Sequence, residues 1–202
     1  MATARLSRAG LLRRGAAGSA VLLASGSVVS ALAGSATAAT IPDNDLAYVR
    51  LLIGAELLAA DFQTQALASG KLSNASASVV KRMLDDEQAH YRGLSNLLTL
   101  AGQTPASADD INFAYPKGSF DSEASVLRLA TSLESLALGA YLGAVENVQT
   151  SQWRLPIGQI AANEAQHVSA LATASGRSPI GHAFAPSLPI ATVSAALDTY
   201  ES

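Results

Sequence analysis

Apolar residues recur at intervals of three and four in four long segments of the chain. This spacing predicts amphipathic α-helices, because it aligns one apolar stripe on a single helical face. Gly and Pro residues interrupt the pattern between the segments and indicate where helices end. The predicted helices span about residues 43–69, 74–102, 121–149 and 156–176, and a short fifth helix is predicted within residues 190–199.

Residues that favour helix ends support these boundaries. Ser73 or Asn74 can cap the second helix through a side-chain oxygen, and Asp121 can cap the third. Pro156 suits the first turn of the fourth helix, where a missing N–H leaves no helical bond unmade. We therefore expect the third helix to start directly after Asp121 and the fourth to start at Pro156.

The connections between the predicted helices indicate the topology. Few residues separate the first helix from the second or the third from the fourth, whereas residues 103–120 form a long link that contains two Pro. Short links join antiparallel neighbours, so we predict two helical hairpins joined by a long crossover, which makes an all-α four-helix bundle. Residues 39–176 form this bundle in our interpretation, and residues 177–202 form a Pro-containing tail.

The core stripes of the four helices include residue types that bind metals. The stripes of the second and fourth helices each turn one Glu and one His inward, three residues apart. The stripes of the first and third helices each place one Glu among apolar residues. The candidate metal ligands are Glu56, Glu87, His90, Glu134, Glu164 and His167.

Four ionised carboxylates in a bundle interior would strongly destabilise the fold, because even one unpaired buried charge costs several kcal/mol. No Lys or Arg occupies any of the four stripes, so the protein itself supplies no counter-charge there. Two divalent metal ions would neutralise the glutamates, and neutral imidazoles would add ligands without adding charge. The alternative is that some of these glutamates lie at a water-exposed end of the bundle or are protonated.

An internal repeat supports the same six residues. Glu56 precedes Glu87 by 31 residues, and Glu134 precedes Glu164 by 30. In both halves the second Glu is followed three positions later by His. One such Glu-x-x-His pair carries a modest risk of arising by chance, but two copies with matched upstream partners indicate a shared site.

The segments DDEQAH and NEAQH resemble the Glu-x-x-His helices of the ferritin-like di-iron and di-manganese carboxylate proteins. Within that superfamily, AELLAADFQTQAL and LESLALGAYLGA are similar to the first and third helices of bacterial ferritin-like domain proteins related to plant desiccation-associated proteins. The resemblance covers about residues 43–174. It implies that Glu87 and Glu164 bridge two metals, that each His binds one, and that the other two glutamates are terminal ligands.

The resemblance and the ligand types leave several functions open. We expect two metal ions, with iron favoured and manganese as the alternative, since both accept mixed carboxylate and imidazole ligands. The first hypothesis is a redox protein that handles iron with oxygen or peroxide, with ferroxidase-like or peroxide-consuming activity. A di-manganese, catalase-like protein is a variant of it. The second hypothesis is a metal-stabilised structural or stress-protective bundle without turnover.

The first 38 residues are predicted to be an export signal. Four Arg precede any acidic residue, a weakly polar stretch follows, and Ala36-Thr37-Ala38 suits cleavage before Ala39. The Arg13-Arg14 pair resembles a bacterial twin-arginine signal, and an ordinary secretory signal is the alternative. We therefore expect the mature protein beyond the cytoplasmic membrane, in the periplasm, the cell wall or the medium.

Charge and composition exclude several functions. Without the signal the chain carries nine Lys or Arg and sixteen Asp or Glu, a formal charge of −7. Such an acidic surface argues against nucleic acid and anionic lipid as partners, and we expect no stable membrane insertion after cleavage. The chain has no Cys, which excludes thiolate catalysis, Cys-based zinc sites and iron–sulfur clusters. A homodimer is left open.

Overall fold

The computed structural model describes residues 41–202, so the predicted export signal lies outside the described residues. The all-α prediction is confirmed: the described part is helical apart from loops, one 3₁₀ turn at Ala108–Asp110 and an isolated bridge between Phe113 and Glu201. The helices are α1 (Asp43–Ala68), α2 (Asn74–Leu100), α3 (Glu123–Asn147), α4 (Ser151–Ala174) and α5 (Ile190–Asp198).

The first four helices form the predicted bundle of two hairpins. α1 packs along α2, α3 packs along α4, and the two pairs meet through α1 against α3 and α2 against α4. Residues 69–73 and 148–150 make the two tight links, and residues 101–122 make the crossover. The links at residues 69–73 and 148–150 are too short for the chain to cross to the opposite end of the bundle. The helices of each pair therefore run antiparallel.

The helices differ in how much of their surface is covered. Residues 51–59 of α1 are all buried, because α2, α3 and α5 pack around this helix. By contrast, α2 buries a single stripe, from Ser76 and Val80 to Leu94 and Leu98, and exposes its other faces. The stretch LLIGAELLAA is apolar around the whole helix, which suits such an enclosed position.

Two helix starts differ from the predicted ones. The N-cap of α3 is Ser122, whose hydroxyl accepts from the Ser125 amide, so the assignment of Asp121 was wrong by one residue. α4 begins at Ser151, so Pro156 lies inside the helix rather than in its first turn. A proline there leaves one helical hydrogen bond unmade, to the Gln152 carbonyl, while Trp153 and Ile157 in the flanking turns are buried in the core.

The tail after α4 crosses α3 at two glycines. The Leu188 amide donates to the Gly139 carbonyl at 2.9 Å, and the Leu188 carbonyl lies against Gly143. A Cβ at Gly143 would overlap the Leu188 backbone carbonyl, so glycine is needed there for this close approach. The chain then enters α5, and the Tyr200 carbonyl accepts from the Ala114 amide of the crossover at 2.8 Å.

The tail and the crossover therefore cover the bundle beside α1 and α3. Within residues 41–202, no helix has the length and hydropathy needed to cross a membrane.

Candidate metal centre

The six residues predicted from the sequence meet in one cluster at the centre of the bundle. All are buried: the four glutamates are at most 1% exposed, His167 is 3% exposed and His90 is 9% exposed. Their ligand atoms fall into two overlapping groups in which every atom lies within 4.8 Å of the others. The groups are Glu56, Glu87, His90 and Glu164, and Glu87, Glu134, Glu164 and His167.

We call these groups the Glu56–His90 position and the Glu134–His167 position. Glu87 and Glu164 belong to both, which is the sharing that bridging ligands require. The arrangement follows from the helix period, because residues three apart on α2 and α4 lie on one face, one turn apart. The other two glutamates reach the same depth from α1 and α3.

Each imidazole directs Nδ1 into the cluster. His90 Nδ1 lies 3.4 Å from Glu56 Oε2, 3.3 Å from Glu87 Oε2 and 3.1 Å from Glu164 Oε1. His167 Nδ1 lies 3.2 Å from Glu87 Oε1, 3.2 Å from Glu134 Oε2 and 3.5 Å from Glu164 Oε2. Metal–ligand bonds of about 2.1 Å at right angles place neighbouring ligand atoms about 3 Å apart, close to this spacing.

The family model for the ferritin-like domain matches residues 44–177, which is most of the chain. The chain belongs to the ferritin-like domain family. The crystal structure of a hypothetical protein from Methanococcus jannaschii is similar in fold, with a TM-score of 0.56 and 12% identity over 84% of this chain and 98% of the other. No curated protein sequence matches the chain.

The donor set of this ferritin-like domain fits a pair of divalent metal ions. Each position offers three carboxylates and one imidazole, a mixture that iron and manganese both accept. Three buried carboxylate oxygens, Glu56 Oε2 and both oxygens of Glu164, have no hydrogen bond of acceptable geometry among the described residues. Buried charged oxygens rarely lack partners, so their orientation toward the cluster centre is compatible with a di-metal site.

Burial and mutual contacts shift the pKa values of several cluster residues of the ferritin-like domain. Burial, together with the nearby charge of Glu87, raises the pKa of Glu56 and of Glu134 well above the usual Glu value. Burial would lower the pKa of His90, but the nearby carboxylates of Glu164 and Glu56, 3.1 Å and 3.4 Å from Nδ1, outweigh it and raise that pKa to about 12. Burial also opposes ionisation of Glu87, yet hydrogen bonds from His167 and His90 hold its pKa below the usual value.

Metal binding should therefore release protons, and the apparent affinity should rise with pH. A ligating imidazole must be neutral and a ligating carboxylate ionised, so protons on His90, Glu56 and their counterparts have to leave. We expect at least about one proton released per ion between about pH 6 and pH 8. Calorimetric titration with Mn(II) in two buffers of different ionisation enthalpy measures this number. Equal heats in both buffers would contradict the prediction.

Three further residues of the ferritin-like domain touch the ligands, and the sequence did not single them out as site residues. Gln63 Nε2 donates to Glu134 Oε1 at 2.9 Å and to Glu87 Oε1 at 3.1 Å. The Tyr141 hydroxyl, fully buried, donates to Glu56. Gln63 and Tyr141 both stand in the core stripes, but periodicity alone does not separate a packing residue from one that bonds a ligand.

Asp86 is the third of these residues. Its Oδ2 lies 3.5 Å from His167 Nε2, on the side of the ring that faces away from the cluster. The Arg82 guanidinium holds the same carboxylate at 2.8 Å. Asp86 immediately precedes a ligand in the segment DDEQAH, which is the only signal in the sequence for its role.

Two other residues of metal-binding type, Glu146 and His182, lie outside the cluster. Glu146, close to the C-terminal end of α3, is exposed and accepts from the Ser187 hydroxyl of the tail at 3.1 Å. His182 is exposed in the tail and belongs to neither ligand group. Glu134, which stands 30 residues before Glu164 as the internal repeat requires, lies in the cluster, and Glu146 does not.

Proposed function

We propose that this ferritin-like protein binds two iron ions and oxidises ferrous iron with oxygen or peroxide. The observation that carries the proposal is the sharing of Glu87 and Glu164 between two ligand groups of the same composition. Two ferrous ions bound at these adjacent positions would supply two electrons to a small oxidant and become ferric, which a single ion would not do. Neighbouring residues would hold the six candidate ligands in place by hydrogen bonds, and buried apolar side chains surround them.

Contacts around the ligands support a site that is organised before metal arrives. Gln63 bonds two of the carboxylates and Tyr141 bonds a third, so these side chains need little reordering when metal binds. The shell outside them is apolar, with Val80, Met83 and Ile157 at most 2% exposed. Such a shell limits water in the site and strengthens electrostatic interactions there.

Small molecules can approach the ligands between α2 and α4. A surface cavity of about 270 Å³ reaches His90 and is lined by Leu94, Leu97 and Ile160, among other residues. A second, of about 410 Å³, reaches His167 beside Asp86. Both are large enough for oxygen, peroxide or a hydrated ion, and both lie on the side opposite the tail.

Anaerobic loading with Fe(II), followed by exposure to oxygen or peroxide, tests the oxidation. We expect the loaded protein to oxidise its iron at least about tenfold faster than free Fe(II) in the same buffer, because the site stabilises the higher charge of the product ion. Stopped-flow absorbance in the near ultraviolet follows the reaction. Glu146→Gln, with its charge change outside the cluster, is the matched control and should react like the wild type.

Other outcomes would favour the alternatives. A metal-stabilised bundle without turnover gains support from the four buried carboxylates, which need counter-charge whether or not chemistry follows. In that case metal raises the melting temperature while iron oxidation stays at the background rate. A Mn(II)-loaded protein that evolves oxygen from peroxide would instead favour the catalase-like variant.

We further propose that the protein is exported through its first 38 residues. The support is the arginine-rich start, the weakly polar stretch and the small-residue cleavage site. Replacing Arg13-Arg14 by Lys-Lys should leave the precursor in the cytoplasm if the twin-arginine route carries it, which immunoblots of cell fractions would detect. Continued export of the Lys-Lys variant would favour the general secretory route.

A further inference from the structure

The internal repeat relates the two metal positions, so the residues around them can be compared pairwise. Glu56 corresponds to Glu134, Glu87 to Glu164 and His90 to His167. The ligands are therefore identical in type at both positions. A difference in metal affinity would then come from the surroundings of the ligands, and these do not repeat.

The first difference lies seven residues after each terminal glutamate. Gln63 of α1 bonds Glu134 of the other hairpin, and Tyr141 of α3 bonds Glu56 of the first. Each hairpin thus holds the terminal ligand of the other. The amide of Gln63 also bonds Glu87, so at the Glu134–His167 position one side chain connects a terminal and a shared ligand.

The second difference lies immediately before each shared glutamate. Asp86 approaches His167 Nε2, whereas the corresponding residue of α4 is Asn163, which carries no charge. A carboxylate behind a ligating imidazole orients the ring and makes its other nitrogen a stronger ligand. His90 instead lines a cavity together with Leu94, Leu97 and Gln159, and no carboxylate is among the described residues that line it.

The two differences favour the same position. We propose that the Glu134–His167 position binds its divalent ion more tightly and keeps it, while the Glu56–His90 position binds the weaker, exchangeable ion. This inference rests on the proposed two-metal function and adds an order of filling to it. The greater exposure of His90, 9% against 3% for His167, places the exchangeable ion nearer to solvent.

Titration of the metal-free full chain with Mn(II) tests the order, because Mn(II) binds without being oxidised in air at neutral pH. Equilibrium dialysis with elemental analysis should resolve two steps, the first at least about tenfold tighter than the second beyond the statistical ratio for identical positions. His90→Ala should keep the tight step and lose the weak one. His167→Ala should lose the tight step.

Asp86→Asn isolates the cause, and Asp85→Asn is its matched control. Asp85 is exposed on the same helix and belongs to neither ligand group, so both variants remove one charge from one turn. We expect Asp86→Asn to weaken the first step about 10-fold to 100-fold and Asp85→Asn to leave it unchanged. Melting temperatures in EDTA should match for the two variants, which separates a loss of affinity from a loss of folding.

The outcomes distinguish this inference from the proposed function. Two ions bound with identical affinities, a tight step lost in His90→Ala, or equal titrations for Asp86→Asn and Asp85→Asn would overturn the order of filling alone. A wild-type chain that takes up no Mn(II) or Fe(II) would overturn the two-metal function, and the order of filling with it.

Discussion

Replacing Glu164 by Gln should remove both metal ions from the protein. Glu164 is fully buried and its carboxylate belongs to both ligand groups, so each position loses one anionic ligand. The substitution keeps the side-chain volume, so the core stays filled. Elemental analysis after desalting should fall from about two ions per chain to nearly none, since an amide supplies no charge to offset the cation.

The matched control is the same substitution at Glu146, which is exposed and accepts a hydrogen bond from Ser187. Glu146→Gln should keep both ions. The melting temperature of metal-free Glu164→Gln, compared with that of the metal-free wild type, separates a loss of metal affinity from a loss of folding. If Glu164→Gln retained both ions, Glu164 would not be a shared ligand.

Replacing Asp45 by Ala should destabilise the fold by about 3 kcal/mol, because several hydrogen bonds to one buried carboxylate are lost. Each hydrogen bond to a charged group contributes about 1.5 to 3 kcal/mol, and the contributions of bonds to one group do not add up. Asp45 is 0% exposed. It accepts from the amides of Gln149 and Thr150, at 3.0 Å and 2.7 Å, and from the Thr150 hydroxyl. These bonds attach the start of α1 to the link between α3 and α4.

Urea denaturation in EDTA measures the loss, and Asp43→Ala is the control. Asp43 is exposed in the same helical turn, so both variants lose a charge near the helix N-terminus but only one loses the buried bonds. Asp43→Ala should cost no more than about 1 kcal/mol. If Asp45→Ala also cost no more than about 1 kcal/mol, the hydrogen bonds from residues 149 and 150 to Asp45 would contribute little to stability.

The effect of Asp45 should depend on pH with a defined sign. Burial alone would raise its pKa, but hydrogen bonds from Thr150 and Gln149 outweigh it, and the pKa is lowered. A carboxyl with a lowered pKa stabilises the fold above its unfolded pKa, and this contribution is lost as the pH falls through the folded value. The difference between wild type and Asp45→Ala should therefore narrow below about pH 4.

The helices and the six candidate ligands could be predicted from the sequence for one physical reason. A bundle helix buries one stripe at a fixed period, so a Glu or His inside an apolar stripe must point into the core wherever the helix lies. Glu87 and His90 stand out on this basis because charged residues are rarely fully buried without partners. The internal repeat indicated that the candidate ligands of the two hairpins lie at the same depth in the bundle. The structure brings all six side chains together.

Only the tertiary structure decided which neighbours support these ligands. Gln63 and Tyr141 occupy ordinary core positions, and their bonds to Glu134 and Glu56 cross from one hairpin to the other. No local pattern encodes a contact between residues 71 or 85 positions apart. The direction of such a bond depends on how the two hairpins pack, which is a property of the whole bundle.

The same reason applies to the helix ends and the tail. Pro156 favours a helix start locally, yet α4 begins five residues earlier because its first turns pack within the bundle, with Trp153 buried in the core. Asp45 resembles any acidic residue at a helix N-terminus until the link between α3 and α4 is brought onto it. Sequence period determines which face of a helix is buried, but contacts between distant segments exist only once the chain has folded.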